Sequence, residues 1–236
     1  DKTALITGGT RGIGKGIVER FLEEGADVAF TYVSSPEKAN ALAAELIAKT
    51  GRKVLAIQSD ASDFNAAQAA VDEVVNAWGK LDVLVNNAGI TFNKPFLRVT
   101  REQFDRMYHV NIRAQFFLTQ RLAAEMEKHG GGAVCNLTSI HGVQGAPEHS
   151  VYAGTKGAIV AYTRSLAVEL AHKGIRINAI APGWVTVENY YNVLPGFNEE
   201  DAKRDAANKI PLGRPGVPLD IARLAVFLCS DDASYI

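Results

Sequence analysis

The sequence predicts an α/β fold, a doubly wound parallel sheet with helices on both faces, in a single domain over residues 1–236. Three observations predict it. Six apolar runs rich in β-formers alternate with stretches of helical period, the pattern of successive βαβ units. A glycine-rich segment, Thr7 to Gly14, separates the first run from the first helix. No interdomain linker and no repeat beyond this rhythm interrupts the chain, and 236 residues suit one large domain. In such a sheet a ligand lies at the carboxyl ends of the strands, near the point where strand order reverses.

The first strand is Ala4-Leu5-Ile6. Residues 11–24 read as a helix, with Ile13, Ile17, Val18, Phe21 and Leu22 on one face. Residues 27–33, rich in Val, Phe, Thr and Tyr, form the second strand. Ser35-Pro36 opens the next helix with a cap and a first-turn proline. Residues 53–57 are the third strand, 62–78 the third helix and 81–85 the fourth strand. Thr100-Arg101-Glu102-Gln103 is a capping box that starts a long helix to about Lys128. Residues 132–137 are the fifth strand, 152–172 a second long helix and 175–180 the sixth strand. Residues 184–215 mix aromatics, amides, charges and prolines without one period, and read as a substrate lid.

Composition narrows the function. Hydrophobic residues make up 47% and charged residues 22%, which excludes a disordered or coiled-coil chain. Lys+Arg 25 against Asp+Glu 26 leaves a net charge of -1, so nothing favours a nucleic-acid partner. Cys135 and Cys229 stand in apolar stretches and read as two buried free thiols of a reducing compartment. No Cys/His cluster suggests a metal. No apolar run reaches the ~18 residues of a membrane span. Strand-like residues begin at Lys2, so a charged-then-apolar leader is not expected and the expected location is the cytoplasm.

Four motifs follow strands. In Thr7-Gly8-Gly9-Thr10-Arg11-Gly12-Ile13-Gly14, glycines let the chain turn sharply and bring backbone N–H groups to a pyrophosphate at a helix N-terminus. The spacing Gly8-x-x-x-Gly12-x-Gly14 is neither GxGxxG nor a P-loop. In Tyr152-Ala153-Gly154-Thr155-Lys156 the i,i+4 pair shares one helix face. A fixed ammonium about 4 Å from the phenol, at an effective dielectric of about 20, contributes roughly 4 kcal/mol toward the phenolate. That brings a phenol, ordinarily a poor base, into the range of general acid–base catalysis. Alone the pair is unspecific. Ser139, in Asn136-Leu137-Thr138-Ser139, lies 13 residues before Tyr152 and suits either a substrate oxygen or its own backbone. Asn86-Asn87-Ala88-Gly89 suits backbone bracing and close cofactor approach, or a plain turn.

Together these motifs, with Asn111 in Val110-Asn111-Ile112 and the pair Pro182-Gly183, are similar in order and spacing to those of the short-chain dehydrogenases/reductases. The resemblance to the single-domain branch of that family covers essentially the whole chain. It implies Tyr152 as general acid/base, Ser139 holding the reacting oxygen, Lys156 on the nicotinamide ribose, and Asn111 holding a proton-relaying water. It implies Gly8, Thr10, Arg11, Gly12, Ile13 and Gly14 around the pyrophosphate. Asp60 and Ala61 would take the adenine, with Asn87, Ala88 and Gly89 on the adenosine side. Pro182, Gly183 and Val185 would pack on the nicotinamide.

Three departures qualify the resemblance. Relatives that use NAD carry an acid at the end of the second strand, and that slot here is Tyr32, followed by Val33-Ser34-Ser35. Without a carboxylate a 2′-phosphate is not repelled, and Arg11, Ser34, Ser35 and Lys38 are within its expected reach. NADP is therefore expected over NAD. Val187 stands where the family has a threonine, next to Thr186. The sequence also stops before the family's final strand.

Substrate contacts are expected from Ser139, His141, Gln144, His149 and Trp184, with Tyr190, Tyr191 and Phe197 in the lid. Imidazoles and amides suit a hydroxylated small molecule such as a sugar or polyol. A 3-oxoacyl-thioester reductase, with Arg101, Arg106, Arg113 and Arg121 as a docking patch, and a non-catalytic dinucleotide sensor are the alternatives. The two long helices read as apolar on two sides, and relatives pair them, so a D2 homotetramer is expected.

Overall fold

The computed structural model describes residues 2–188, 196 and 198–236. Six parallel strands lie in the order β3-β2-β1-β4-β5-β6. They are β1 (Thr3–Ile6), β2 (Asp27–Tyr32), β3 (Val54–Gln58), β4 (Val83–Asn86), β5 (Gly132–Leu137) and β6 (Ile175–Ile180). The order reverses at β1, which pairs with β2 on one side and β4 on the other. This is the doubly wound, Rossmann-type sheet, with its crevice between the β1 and β4 exits.

Strand residues are buried on both faces, hence the near-continuous apolar runs. Ala4, Ile6, Val28, Phe30, Val85 and Cys135 pack beneath α1 (Gly12–Glu23), α2 (Pro36–Thr50) and α8 (Pro218–Cys229). Leu5, Ala29, Leu84 and Val134 alternate with them. They pack beneath α3 (Phe64–Trp78), α5 (Ala114–Lys128) and one side of α6 (Ser150–Leu170). Gly16 of α1 lets α8 approach closely, since a Cβ there would lie 2.8 Å from the Cβ of Pro218.

Three local expectations are corrected. The helix expected over 100–128 begins at the capping box of Thr100 and Gln103 but is not continuous. It comprises α4 (Arg101–Tyr108), a π-helical turn over His109–Arg113, and α5. Ser35 precedes α2 in the left-handed region (φ 64°) and makes no side-chain cap bond. The segment expected as an irregular lid holds a helix, α7 (Glu199–Lys209), started by the Asn198 side chain accepting from the Glu200 N–H. Tyr190, Tyr191 and Phe197 lie outside the described residues. The two cysteines are buried and free, and α8 brings them together: the Cys229 thiol, and then burial, push Cys135 up.

Candidate active site

The glycine turn is braced from the β4 exit. The Thr7 hydroxyl accepts from the N–H groups of Asn87 (3.0 Å) and Ala88 (2.9 Å). The Asn87 side chain donates to the carbonyls of Thr7 (2.9 Å) and Gly8 (3.2 Å). Of the two roles open to Asn87, bracing is visible. Gly8 (φ 70°) and Gly12 (φ 54°) need the left-handed region. At Gly14 a Cβ would collide with the Gly8 carbonyl oxygen and lie 2.6 Å from the Asn87 amide nitrogen. The cradle thus fits a group approached by backbone alone, as a dinucleotide pyrophosphate is. Gly9, which the spacing leaves as an arbitrary residue, is also fixed: a Cβ there would lie 2.5 Å from the Cβ of Phe30 and 2.9 Å from Val18.

On the side where the adenosine is expected, the side chain of Tyr32 is buried in the core, so it does not stand in for the missing acid. Arg11, Ser34, Ser35 and Lys38 are exposed. The Asp60 carboxylate accepts from the backbone and hydroxyl of Ser62, both at 2.8 Å. Between the β1 and β4 exits and α5 lies a pocket lined by Thr7, Ser59, Ala61, Asn86, Ala88 and Gln115. The buried Asn86 side-chain oxygen has no partner among the described residues.

Tyr152, Lys156, Ser139 and Asn111 converge at the exits of β4 and β5. Lys156 Nζ lies 5.6 Å from the centre of the Tyr152 ring and donates to the Leu137 carbonyl at 2.7 Å. Burial pulls this ammonium from 10.5 down to about 8. The Thr138 hydroxyl donates to the Lys156 carbonyl (2.7 Å), which pins α6 to the end of β5. Ser139 is 8% exposed, and its hydroxyl oxygen accepts from the His141 N–H at 3.2 Å.

Asn111, fully buried in the π turn, accepts from the Ile90 N–H (2.8 Å) and donates to the Ile90 carbonyl (2.9 Å) and the Thr155 hydroxyl (3.2 Å). Its side-chain polar atoms are engaged in tying the β4 exit to α6. Thr155 and Thr138 are supports the sequence reading missed, since lone threonines carry no positional signal.

The rings of His141 and His149 lie 4.8 Å apart, each 6.3 Å from the Tyr152 ring. These two expected substrate residues are therefore brought to the phenol. Gln144 is exposed beyond them. Trp184 is half-buried, and its carbonyl accepts from Gly216 at 2.9 Å. Pro182 accepts from the Ile140 N–H at 3.1 Å, which joins the β6 exit to the Ser139 turn.

A glycine cradle at a strand-order reversal, with a phenol, an ammonium and a hydroxyl at neighbouring strand exits, defines a dinucleotide-type oxidoreductase site. A family model described as "Enoyl-(Acyl carrier protein) reductase" matches residues 8–236. The chain is 40% identical over 235 residues to 3-oxoacyl-[acyl-carrier-protein] reductase FabG of Staphylococcus aureus, covering 100% of this chain and 93% of that protein. It superposes on 7α-hydroxysteroid dehydrogenase complexed with NADH and 7-oxo glycochenodeoxycholic acid with a TM-score of 0.92. That pair is 34% identical and covers 100% of this chain and 89% of that one. For a blue fluorescent protein from a metagenomic library in complex with NADPH the TM-score is 0.90 and the identity 37%, covering 100% and 93%. The chain belongs to the short-chain dehydrogenase/reductase family, oxidoreductases acting on CH–OH groups. No helix among the described residues is long and apolar enough to cross a membrane.

Proposed function

We propose that the protein interconverts a carbonyl and a secondary alcohol with NADP(H), and that Tyr152 moves the proton. The observation that carries this reading is the phenol of Tyr152 set beside the buried Lys156 ammonium and the Ser139 turn. A bound nicotinamide supplies the hydride. Gly8, Gly12, Ile13 and Gly14 would hold its pyrophosphate, and Pro182, Gly183 and Val185 would back the nicotinamide. The Ser139 hydroxyl donates to the substrate oxygen and orients it toward Tyr152. Tyr152 gives that oxygen its proton in reduction and takes it back in oxidation. Lys156 supplies the positive field that makes the phenolate accessible. Asn111 acts by position, holding the β4 exit against α6.

The preference for NADP(H) rests on the absence of an acid at Tyr32 and on exposed Arg11, Ser34 and Lys38. Relatives include proteins seen with NADH and with NADPH. A comparison of KM for the two coenzymes tests it, and a lower KM for NAD(H) would refute it.

A polar, hydroxylated substrate is favoured by the two imidazoles that flank the phenol. A second reading, reduction of a 3-oxoacyl thioester, is favoured by the likeness to FabG. A panel of aldoses, polyols and 3-oxoesters, read at the absorbance of the reduced nicotinamide, separates the two. Tyr152→Phe is expected to lower turnover by roughly 10²–10⁴ with the dissociation constant for NADPH nearly unchanged. Retained activity would refute the mechanism. We also propose a D2 homotetramer in the cytoplasm, supported by uncovered apolar side chains on α6 and α8.

A further inference from the structure

The N-terminus of α1 already holds an anion from its own chain. The Gly12 N–H donates to the Glu188 carboxylate at 3.0 Å. Nothing nearer in sequence fills this role. Arg11, the residue before the helix, makes no side-chain cap bond, and the first turn of α1 carries no acid. Glu188 comes from the far side of the crevice, 176 residues later. It is delivered by a short anchored segment. Val185 bridges to Gly216, and the Thr186 N–H donates to the Gly216 carbonyl at 2.9 Å. Val187 then lies against Gly12, where a Cβ would meet its side chain at 3.3 Å.

Backbone N–H groups and the helix dipole make this end of α1 the place for a pyrophosphate, and the same features hold the carboxylate. One N–H cannot serve both, and two anions at one helix end repel. Glu188 is exposed, so the contact yields to a competitor without opening the core.

We propose that Glu188 is a resident stand-in for the dinucleotide phosphate. It occupies the Gly12 N–H in the empty enzyme, must leave when the dinucleotide binds, and returns as it departs. Glu188 thereby sets dinucleotide affinity while taking no part in the hydride or proton step. This inference rests on the dinucleotide reading of the glycine turn.

The test is direct titration of NADPH by its fluorescence, without substrate, on wild type, Glu188→Gln, Glu188→Ala and Glu188→Asp. Glu200→Gln, in the first turn of α7, controls for charge alone. Removal of the carboxylate is expected to lower Kd roughly three- to tenfold in the Gln and Ala variants. Glu188→Asp keeps the charge but shortens the reach, and is expected to follow them. Glu200→Gln is expected to match wild type. In the free protein, the Gly12 amide resonance should shift on Glu188→Ala. Unchanged or weaker binding in the Gln and Ala variants overturns the Glu188 inference alone, as does wild-type affinity in Glu188→Asp or a gain in Glu200→Gln. Failure of all the proteins to bind NADPH overturns the dinucleotide reading and this inference with it.

Discussion

Lys156 concentrates two opposed demands in one side chain. Its ammonium is buried, which holds its pKa near 8 rather than 10.5. The folded protein therefore carries a cost that is complete below about pH 8. That cost is relieved as pH rises from there toward 10.5, where the unfolded chain also sheds the proton. Under the proposed mechanism the cost is retained because the phenol of Tyr152 needs a cation at close range. Lys156→Met removes the charge and its one bond to Leu137. The expected result is a net gain in unfolding free energy of about 1–2 kcal/mol in urea titrations at pH 7. Turnover should fall by roughly 10²–10⁴. Lower stability in the variant would contradict this account of the burial. In wild type, turnover should also decline above about pH 8, as Lys156 loses its proton. Gly14 poses a purely steric demand. Gly14→Ala forces a methyl group into the Gly8 carbonyl, at an expected cost of about 1–3 kcal/mol and with weaker NADPH binding by titration.

The π turn at His109–Arg113 shows what an element contributes beyond its residues. By giving α4 and α5 different phases, the extra residue lets Met107 and Leu118 stay buried while Asn111 turns toward Ile90 and Thr155. Asn111→Ala empties a fully buried position and leaves the half-buried Ile90 N–H and carbonyl without their side-chain partner. Thermal unfolding should fall by roughly 5–15 °C, the equivalent of about 2–4 kcal/mol in a domain of this size. NADPH affinity should change less than turnover, since the brace supports α6 and not the glycine turn. The slip was illegible in the sequence because one inserted residue leaves both flanking apolar periods intact. α7 was illegible for the opposite reason. Its buried stripe is only Ala202 and Ala206, and its exposed face is charged pairs such as Glu199 with Lys203 and Asp205 with Lys209. The strands, the glycine turn and the Tyr152–Lys156 pair were legible because each is local: a run, a spacing, one helical turn. Glu188 on Gly12 and Cys229 beside Cys135 were not, because only the closed fold makes them neighbours.

At the scale of the whole molecule, apolar side chains remain uncovered at several places among the described residues, two of them on the long faces of α6 and α8. On α6, Val168 is 82% exposed, beside a groove between α5 and α6 lined by Phe116, Ala123, Leu166 and Leu170. On α8, Leu224 and Phe227 are 42% and 40% exposed. A D2 assembly uses at least two distinct isologous contacts, and near each two-fold axis a residue faces its own copy. A charge placed there meets an identical charge across the axis, so one substitution counts twice. Under the proposed tetramer, Val168→Glu should leave dimers held through α8. Leu224→Glu with Phe227→Glu should leave dimers held through α5 and α6, and all three changes together should give monomers. Sedimentation velocity reads the three outcomes directly. Wild type sedimenting as a monomer would refute the assembly. A tetramer that survives either set of charges would show that the contact lies on other surfaces.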